Sequence, residues 1–543
     1  MKKKNIFIIA SLLVIAVVIG SCTKNITLDP SSGVTIDSYF KNQKDITAGL
    51  AGIYSAFQEE MAGDGKGNDE GYGGRYNYWG DIRTDNFTAS TFPGSYAVSI
   101  SENSIPFTAP GTDWGGLYKV ISRTNLAIKY FPQVPQYDPN VTPTILNTSL
   151  AQAYAMRAES YFYIVRVWGD APVWTEPYLD VTQTPVKPQT KALTIIDSLI
   201  IPDLNRAYNL IQKLQTPVVW NMNEAAICAI AADVYMWRAA LPGGGGTADY
   251  TNALAWDTKL LAAKTPSGTF YSGTTPSGVS NVNIGALETG SNWKNLFLTP
   301  ASSPEPIWSI YWDYTVNGCA CIPVSIQTSN NPYQLDPFFH SRFKTGYKTD
   351  VRVSKSIDTN NTFNHINILY KYLNRSPVAA GVPASTANTN DNVYLVMYRL
   401  ADVYLQMAEA YAKTGDLTNA LKYLNYVYAR ARYQATTPAP APATIPATQY
   451  TTPDAMIDGI LAEGSYELLG EGKRWFDLIR MGRVHQIMDP VLNFRNGTAT
   501  TVGGVTTVVP DTKGFVDAPN RYYWPISQSA LNANNLVHQN PGY

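Results

Sequence analysis

The chain has 543 residues, a formal net charge of −1, and 36 Tyr and 12 Trp against 17 Phe. That length predicts a large core divided into more than one subdomain. With 41 basic against 42 acidic side chains there is no global positive field, which excludes recruitment of nucleic acid by charge. Rings with polar tips, in this number, point to half-wet recognition surfaces.

Residues 1–21 read as a secretory signal peptide. Lys2, Lys3 and Lys4 precede an apolar run over 6–19, followed by the small residues Gly20 and Ser21. Cys22, directly after Ile19-Gly20-Ser21, resembles the cysteine of a bacterial lipobox, which implies cleavage before it and lipid attachment to it. The alternative is an uncleaved anchor helix, for which the run is short. No other stretch is long and apolar enough to cross a bilayer, so the mature chain is expected to be tethered, with 22–35 as the lipidated tether.

Residues 36–264 are expected to form an N-terminal helical repeat part, with helices over 44–61, 114–131, 149–168, 193–214, 224–241 and 250–263. Ser149-x-x-Gln152 and Asn221-x-x-Glu224 resemble capping boxes. Between the first two helices lies an irregular segment, about 62–110, in which Tyr72, Tyr76, Tyr78, Trp79 and Tyr96 alternate with Arg75, Arg83, Asp85 and Asn86. Rings on a glycine-rich loop are poorly explained by a periodic core stripe. Trp79 is therefore the first expected ligand contact, with Tyr72, Tyr76, Arg83, Asn86 and Tyr96 beside it. The acids here, Asp64, Asp69, Glu70, Asp81 and Asp85, fit no compact calcium cage.

Helical periodicity fades over 265–392, an irregular subdomain with short strands. "IWSIYWDYTVNGCACIP" alternates as a strand does, with Ile307, Ser309 and Tyr311 on one face and Trp308, Ile310 and Trp312 on the other. Trp293, Trp312 and Tyr314 are the ring contacts expected from this region. Cys319 and Cys321 form either a tight bridge or free thiols. Zinc is not expected, because Cys-x-Cys has no second cluster and the four histidines are scattered. Neither metal nor cofactor is expected.

Residues 393–543 form a C-terminal helical part and tail, with helices over 393–414, 417–432 and 453–483. "YLQMAEAYAKTGDLTNALKYL" has the large–small spacing of a tetratricopeptide unit, and one such unit needs stacked neighbours to bury its face. "ATTPAPAPATIPAT" reads as an extended insert, and "GTATTVGGVTTVVPDTKG" as a hairpin. In "ELLGEGKRWFDLIRMGR", Lys473–Asp477, Glu471–Arg474, Arg474–Asp477 and Asp477–Arg480 stand three or four apart, so opposite charges neighbour each other on one helical surface. That favours a structural joint over a catalytic cluster. The fold class expected is mainly α: a tetratricopeptide-like helical repeat scaffold with an irregular, loop-rich subdomain containing short strands.

The lipobox, Leu28-Asp29-Pro30, "AMRAESYFYIVRVWGDAPV", the tetratricopeptide-like unit, "EGKRWFDLIRMGR" and "YYWPISQSALNANNLVHQNPGY" occur in this order. Together they resemble the SusD/RagB family of Bacteroidota outer-membrane nutrient-binding lipoproteins. The resemblance implies a lipid-anchored protein on the outer membrane, facing the exterior and docked on a SusC-like TonB-dependent transporter. It also implies non-catalytic capture of an oligosaccharide, or alternatively of a peptide. One departure is that Thr23-Lys24-Asn25 follow Cys22, where surface-exported lipoproteins of these bacteria often carry acids. A secreted glycoside hydrolase is the enzymatic alternative and needs two carboxylates flanking the bond. Glu467, Glu471 and Asp477 each have a basic partner within helical reach, and neither Gly-x-Ser-x-Gly nor His-Glu-x-x-His occurs.

Overall fold

Asp45 accepts hydrogen bonds from the amides of Lys41 and Asn42, at 2.8 and 3.0 Å, and so satisfies donors that precede the first helix, α1 (Gln43–Ala62). The computed structural model describes residues 39–62, 74–90, 96–109, 111–180, 182–273, 283–317, 332–346, 350–357, 369–372, 392–432, 444–502, 505–516 and 521–543. The signal peptide, the tether, Cys22, Tyr72, Cys319 and Cys321 lie outside these residues. None of the described helices is long and apolar enough to cross a membrane.

After α1 come α2 (Gly115–Tyr130) and α3 (Pro143–Trp168). The latter starts earlier than the expected capping box at Ser149. Thr142 caps it by accepting the Ile145 amide, and Pro143 fills a first-turn position where its missing N–H costs nothing. Ser149 lies inside the helix, its hydroxyl donating to the Ile145 carbonyl at 2.8 Å. A wide turn over Ile196–Ile200 leads into α4 (Ile201–Leu210). Asn223, not Asn221, caps α5 (Glu224–Ala240) by accepting the Ala226 amide at 3.0 Å, and α6 (Thr247–Leu261) follows.

The tetratricopeptide spacing is realised by α7 (Leu400–Lys413) and α8 (Leu417–Arg432). Ala408 and Ala420 are fully buried between them, and Gly415 turns the chain at φ +87°, a conformation that favours glycine. Helices pack in series: α1 on α2, α2 on α3, α3 on α4, α5 on α6, α6 on α7 and α7 on α8. Each pair closes part of the core that one helical unit alone would leave open.

Short two-stranded ladders decorate this scaffold. β1 (Phe87–Ala89) pairs antiparallel with β3 (Tyr333–Leu335), and β2 (Pro306–Ile310) with β4 (Leu395–Arg399). β5 (Thr498–Val502) and β6 (Val505–Val509) form the expected hairpin. The helix expected over 393–414 is therefore half right. Near its start, Leu395-Val396-Met397-Tyr398 belong to β4, an apolar run buried on both faces in which Val396 and Tyr398 favour a strand.

The helix expected over 453–483 is broken. α9 (Pro453–Glu467) ends before Gly470 and Gly472, both at φ +74°, and α10 (Arg474–Arg480) is separated from α11 (Val484–Arg495) by Gly482 at φ +70°. Of the four charge pairs expected within one helix, Asp477–Arg480 forms, at 2.9 Å. The others reach outward: Arg474 forks onto Asp85 at 2.9 and 3.0 Å, Lys473 meets Asp402 at 3.0 Å, and Arg480 also meets Glu409. Glu471 takes Arg399 and Lys371 at 2.7 and 2.6 Å. Glu467 receives Arg352, Arg399 and Arg430 at 2.8, 2.5 and 2.5 Å. Burial pushes the Glu467 carboxyl up, but the three guanidiniums outweigh it and hold it well below the usual carboxylate range.

The far end of the chain closes on α3. The Trp524 amide donates to the Val167 carbonyl at 2.7 Å, Trp168 Nε1 to the Pro525 carbonyl at 3.2 Å, and Asn540 Nδ2 to the carbonyls of Trp168 and Trp524.

Candidate functional site

The β2–β4 register pairs Ile310 with Leu395, so the next residue along one strand and the preceding one along the other, Tyr311 and Tyr394, emerge together at the same end of the ladder. A third ring comes from the connection between α4 and α5. There the Ser309 amide donates to the Val219 carbonyl at 2.9 Å and Asn223 Nδ2 to the Ile307 carbonyl at 3.0 Å, which fixes Trp220 beside the strand. Tyr54 of α1 secures the same connection, its hydroxyl accepting the Met222 amide at 2.8 Å.

The resulting platform is a cluster of three rings. Trp220 and Tyr394 lie 4.5 Å apart at 36°, Trp220 and Tyr311 5.3 Å apart at 76°, and Tyr311 and Tyr394 6.1 Å apart. Tyr311 is 47% exposed, and Trp220 and Tyr394 are half-buried. Amide side chains border the rings. Gln58 Nε2 donates to the Tyr311 carbonyl while its oxygen accepts from Asn317 Nδ2 at 3.3 Å, and Asn392 accepts the Tyr314 amide at 2.7 Å. Asp313 stands on the same turn, where the hydroxyl and amide of Thr315 hold its carboxyl below the usual range. Ring faces edged by amides and a carboxylate suit a ligand with apolar C–H faces and a hydroxyl rim.

The sequence-predicted contacts are mostly elsewhere. Trp79 is 0% exposed: it sits on a wide turn, Tyr78–Ile82, whose every residue is buried, donates from Nε1 to the Gly111 carbonyl at 2.9 Å, and packs on Trp168 and Tyr163. Tyr76 and Asn86 are buried with it. Arg83 is buried too, donating to the Arg521 and Tyr522 carbonyls and stacking 3.9 Å over Trp475; burial lowers its guanidinium to about 10. The segment is core because Gly80 crosses Gly472 so closely that a Cβ there would meet the Gly472 carbonyl oxygen at 1.9 Å. Trp293 and Trp312 are likewise buried. These six side chains offer a ligand no surface. Tyr96 is half-buried against the core. Tyr314, half-buried, borders the platform through its bond to Asn392.

Sequence reasoning placed Tyr311 on the strand but not among the ligand contacts, and it missed Trp220 and Tyr394. Trp220 had a usable signal, a Trp in the irregular "TPVVW" between two helical periods. Tyr394 was hidden by the expectation of helix over 393–414.

No group of metal-ligating side chains occurs among the described residues. Glu467 and Glu471, the carboxylates nearest to a catalytic reading, are buried and saturated by cations.

Residues 307–543 match the family model described as "SusD family", and residues 43–236 match one described as "Starch-binding associating with outer membrane". The chain is 26% identical to SusD-like protein P38 of Formosa agariphila over 90% of this chain and 94% of that one. It is 24% identical to a SusD-like protein of Bacteroides ovatus over 70% and 67%. Among solved structures, a SusD homolog from Bacteroides thetaiotaomicron superposes with a TM-score of 0.69 at 18% identity, covering 94% of this chain and 98% of that one. B. fragilis NanU superposes with a TM-score of 0.65 at 20% identity, covering 95% and 100%.

Proposed function

Because the chain belongs to the SusD family, we propose that it is a non-catalytic binding protein of the outer membrane that captures an oligosaccharide on the Trp220–Tyr311–Tyr394 platform. The observation that supports this reading is the partly exposed ring cluster held at the open end of the β2–β4 ladder. A sugar stacks its C–H face on such rings, and Gln58, Asn317, Asn392 and Asp313 supply acceptors and donors for its hydroxyls. The platform is preorganised by backbone pairing, so little ordering entropy is lost on binding. Tyr314 is kept as a rim contact. The captured glycan is handed to a SusC-like TonB-dependent transporter, and lipid on Cys22 holds the protein on the exterior face.

The test is calorimetric titration of the mature chain, starting at Cys22, with plant, starch-like and host oligosaccharides and a peptide digest. Trp220→Ala and Tyr311→Ala are each expected to weaken glycan binding about tenfold, equivalent to roughly 1.4 kcal/mol, without product formation. Heat from the peptide digest alone would transfer the platform to peptide capture. Glycan binding untouched by both substitutions would remove the platform from the reading.

A further inference from the structure

A second ring pocket lies on another part of the scaffold, where the irregular segment 172–178 crosses α2 and α3. It is built from below. Tyr118 Oη donates to the Pro172 carbonyl at 2.7 Å, Lys187 Nζ to that of Val173 at 3.1 Å, and Tyr161 Oη to that of Trp174 at 3.0 Å. Arg157 Nη1 donates to the Thr175 carbonyl at 3.2 Å, and Asn125 Nδ2 to those of Trp174 and Glu176 at 3.1 and 3.4 Å. Every carbonyl from Pro172 to Glu176 is thus held by a side chain, although most of the stretch belongs to no helix or strand. Arg157 is itself clamped by Asp203 at 2.7 and 3.0 Å, so the support reaches into buried charge.

A loop pinned to a rigid scaffold can present side chains in a fixed geometry to a partner molecule. What this one holds out is aromatic. Trp174 is half-buried, Tyr178 is 46% exposed, and their rings stand at 90° with centroids 6.5 Å apart. With Tyr118 they enclose a cavity of about 270 Å³. Lys187 Nζ lies 4.4 Å from the Trp174 ring centroid. Ser122 and Glu176 line the mouth, both exposed. The volume is at the lower edge of small-molecule sites and suits one ring rather than a chain.

We propose that this pocket is a second carbohydrate subsite, taking one neutral pyranose ring of a glycan and resting on the binding function proposed above. The ring's C–H face stacks on Trp174 and its edge meets Tyr178, the two rings being perpendicular, while Ser122 and the Glu176 carboxylate receive its hydroxyls. A uronic acid gains no net advantage, because its carboxylate would meet both the Glu176 carboxylate and the Lys187 ammonium. A second, weak contact on one glycan raises avidity through effective concentration, without a tighter primary site.

The test uses saturation-transfer NMR on the full mature chain with glucose, galactose, mannose and N-acetylglucosamine at millimolar concentration. Four proteins are compared: wild type, Trp220→Ala/Tyr311→Ala, Trp174→Ala, and all three substitutions together. The expected result is sugar signal that survives in Trp220→Ala/Tyr311→Ala and falls at least fivefold when Trp174→Ala is added. Signal in that double variant unchanged by adding Trp174→Ala would overturn the subsite. Signal lost in the platform variant but intact in Trp174→Ala would overturn the subsite and leave the platform standing. No signal from any sugar with wild type would overturn the subsite and leave the platform to the oligosaccharide titration. Circular dichroism confirms that each variant is folded.

Discussion

Asp257 lies on α6, fully buried, and neither carboxylate oxygen has a hydrogen-bond partner among the described residues. Burial, with Asp402 and Asp233 nearby, pushes its carboxyl well above the usual range. The folded chain therefore keeps a proton that the unfolded chain releases above about pH 4, and stability falls as pH rises from there until the folded group itself ionises. Asp257→Asn is expected to gain about 1–3 kcal/mol at pH 8. That gain should shrink toward pH 4, as read from urea unfolding across the range. Single residues are also where the sequence was least legible. Trp79 and Tyr311 are both rings outside a helical stripe, yet one is core and the other surface. The difference arises from a backbone crossing at Gly80 and Gly472, nearly four hundred positions apart, which no local pattern encodes.

At the scale of elements, α2, α5 and α8 were readable because apolar periodicity runs through each, although the cap read for α5 at Asn221 lies two residues before the observed one. The joint between α9 and α10 was read as structural with partners inside one helix, and of those pairs Asp477–Arg480 forms while the others reach other segments. Gly470 and Gly472 swing the chain out of helix, so Glu467 and Glu471 face cations from other segments. Those carboxylates hold the irregular subdomain, through Arg352 and Lys371, to the helical body. Glu467→Gln is expected to cost about 3–5 kcal/mol at neutral pH, because three buried guanidiniums lose a shared counter-charge. The sign of its pH dependence is opposite to that of Asp257. A carboxylate held low stabilises above about pH 4 and loses that contribution as pH falls through its folded value. Denaturant melts should show wild type and variant converging in acid and separating toward neutrality.

For the whole molecule, the series of packed helix pairs followed from the repeat spacing, and the family resemblance from motifs spread along the chain. The candidate platform did not follow. It draws Trp220, Tyr311 and Tyr394 from a connection and two strand ends, which the β2–β4 register and the bonds of Ser309 and Asn223 make neighbours.

The closure of residues 521–543 on the end of α3 has a kinetic meaning. Trp168 bonds to Pro525 and Asn540 across 357 and 372 positions, and Arg83 to Arg521 across 438. Contacts this distant in sequence cannot form while only the first half of the chain is available, and they make the search for the native state slow. Refolding from denaturant, followed by tryptophan fluorescence, is expected to take seconds or longer, with the amplitude of the last phase reduced in Trp168→Phe and Trp524→Phe. A polypeptide that matures this late spends longer with apolar surface uncovered, so delay in folding becomes a window for proteolysis and aggregation.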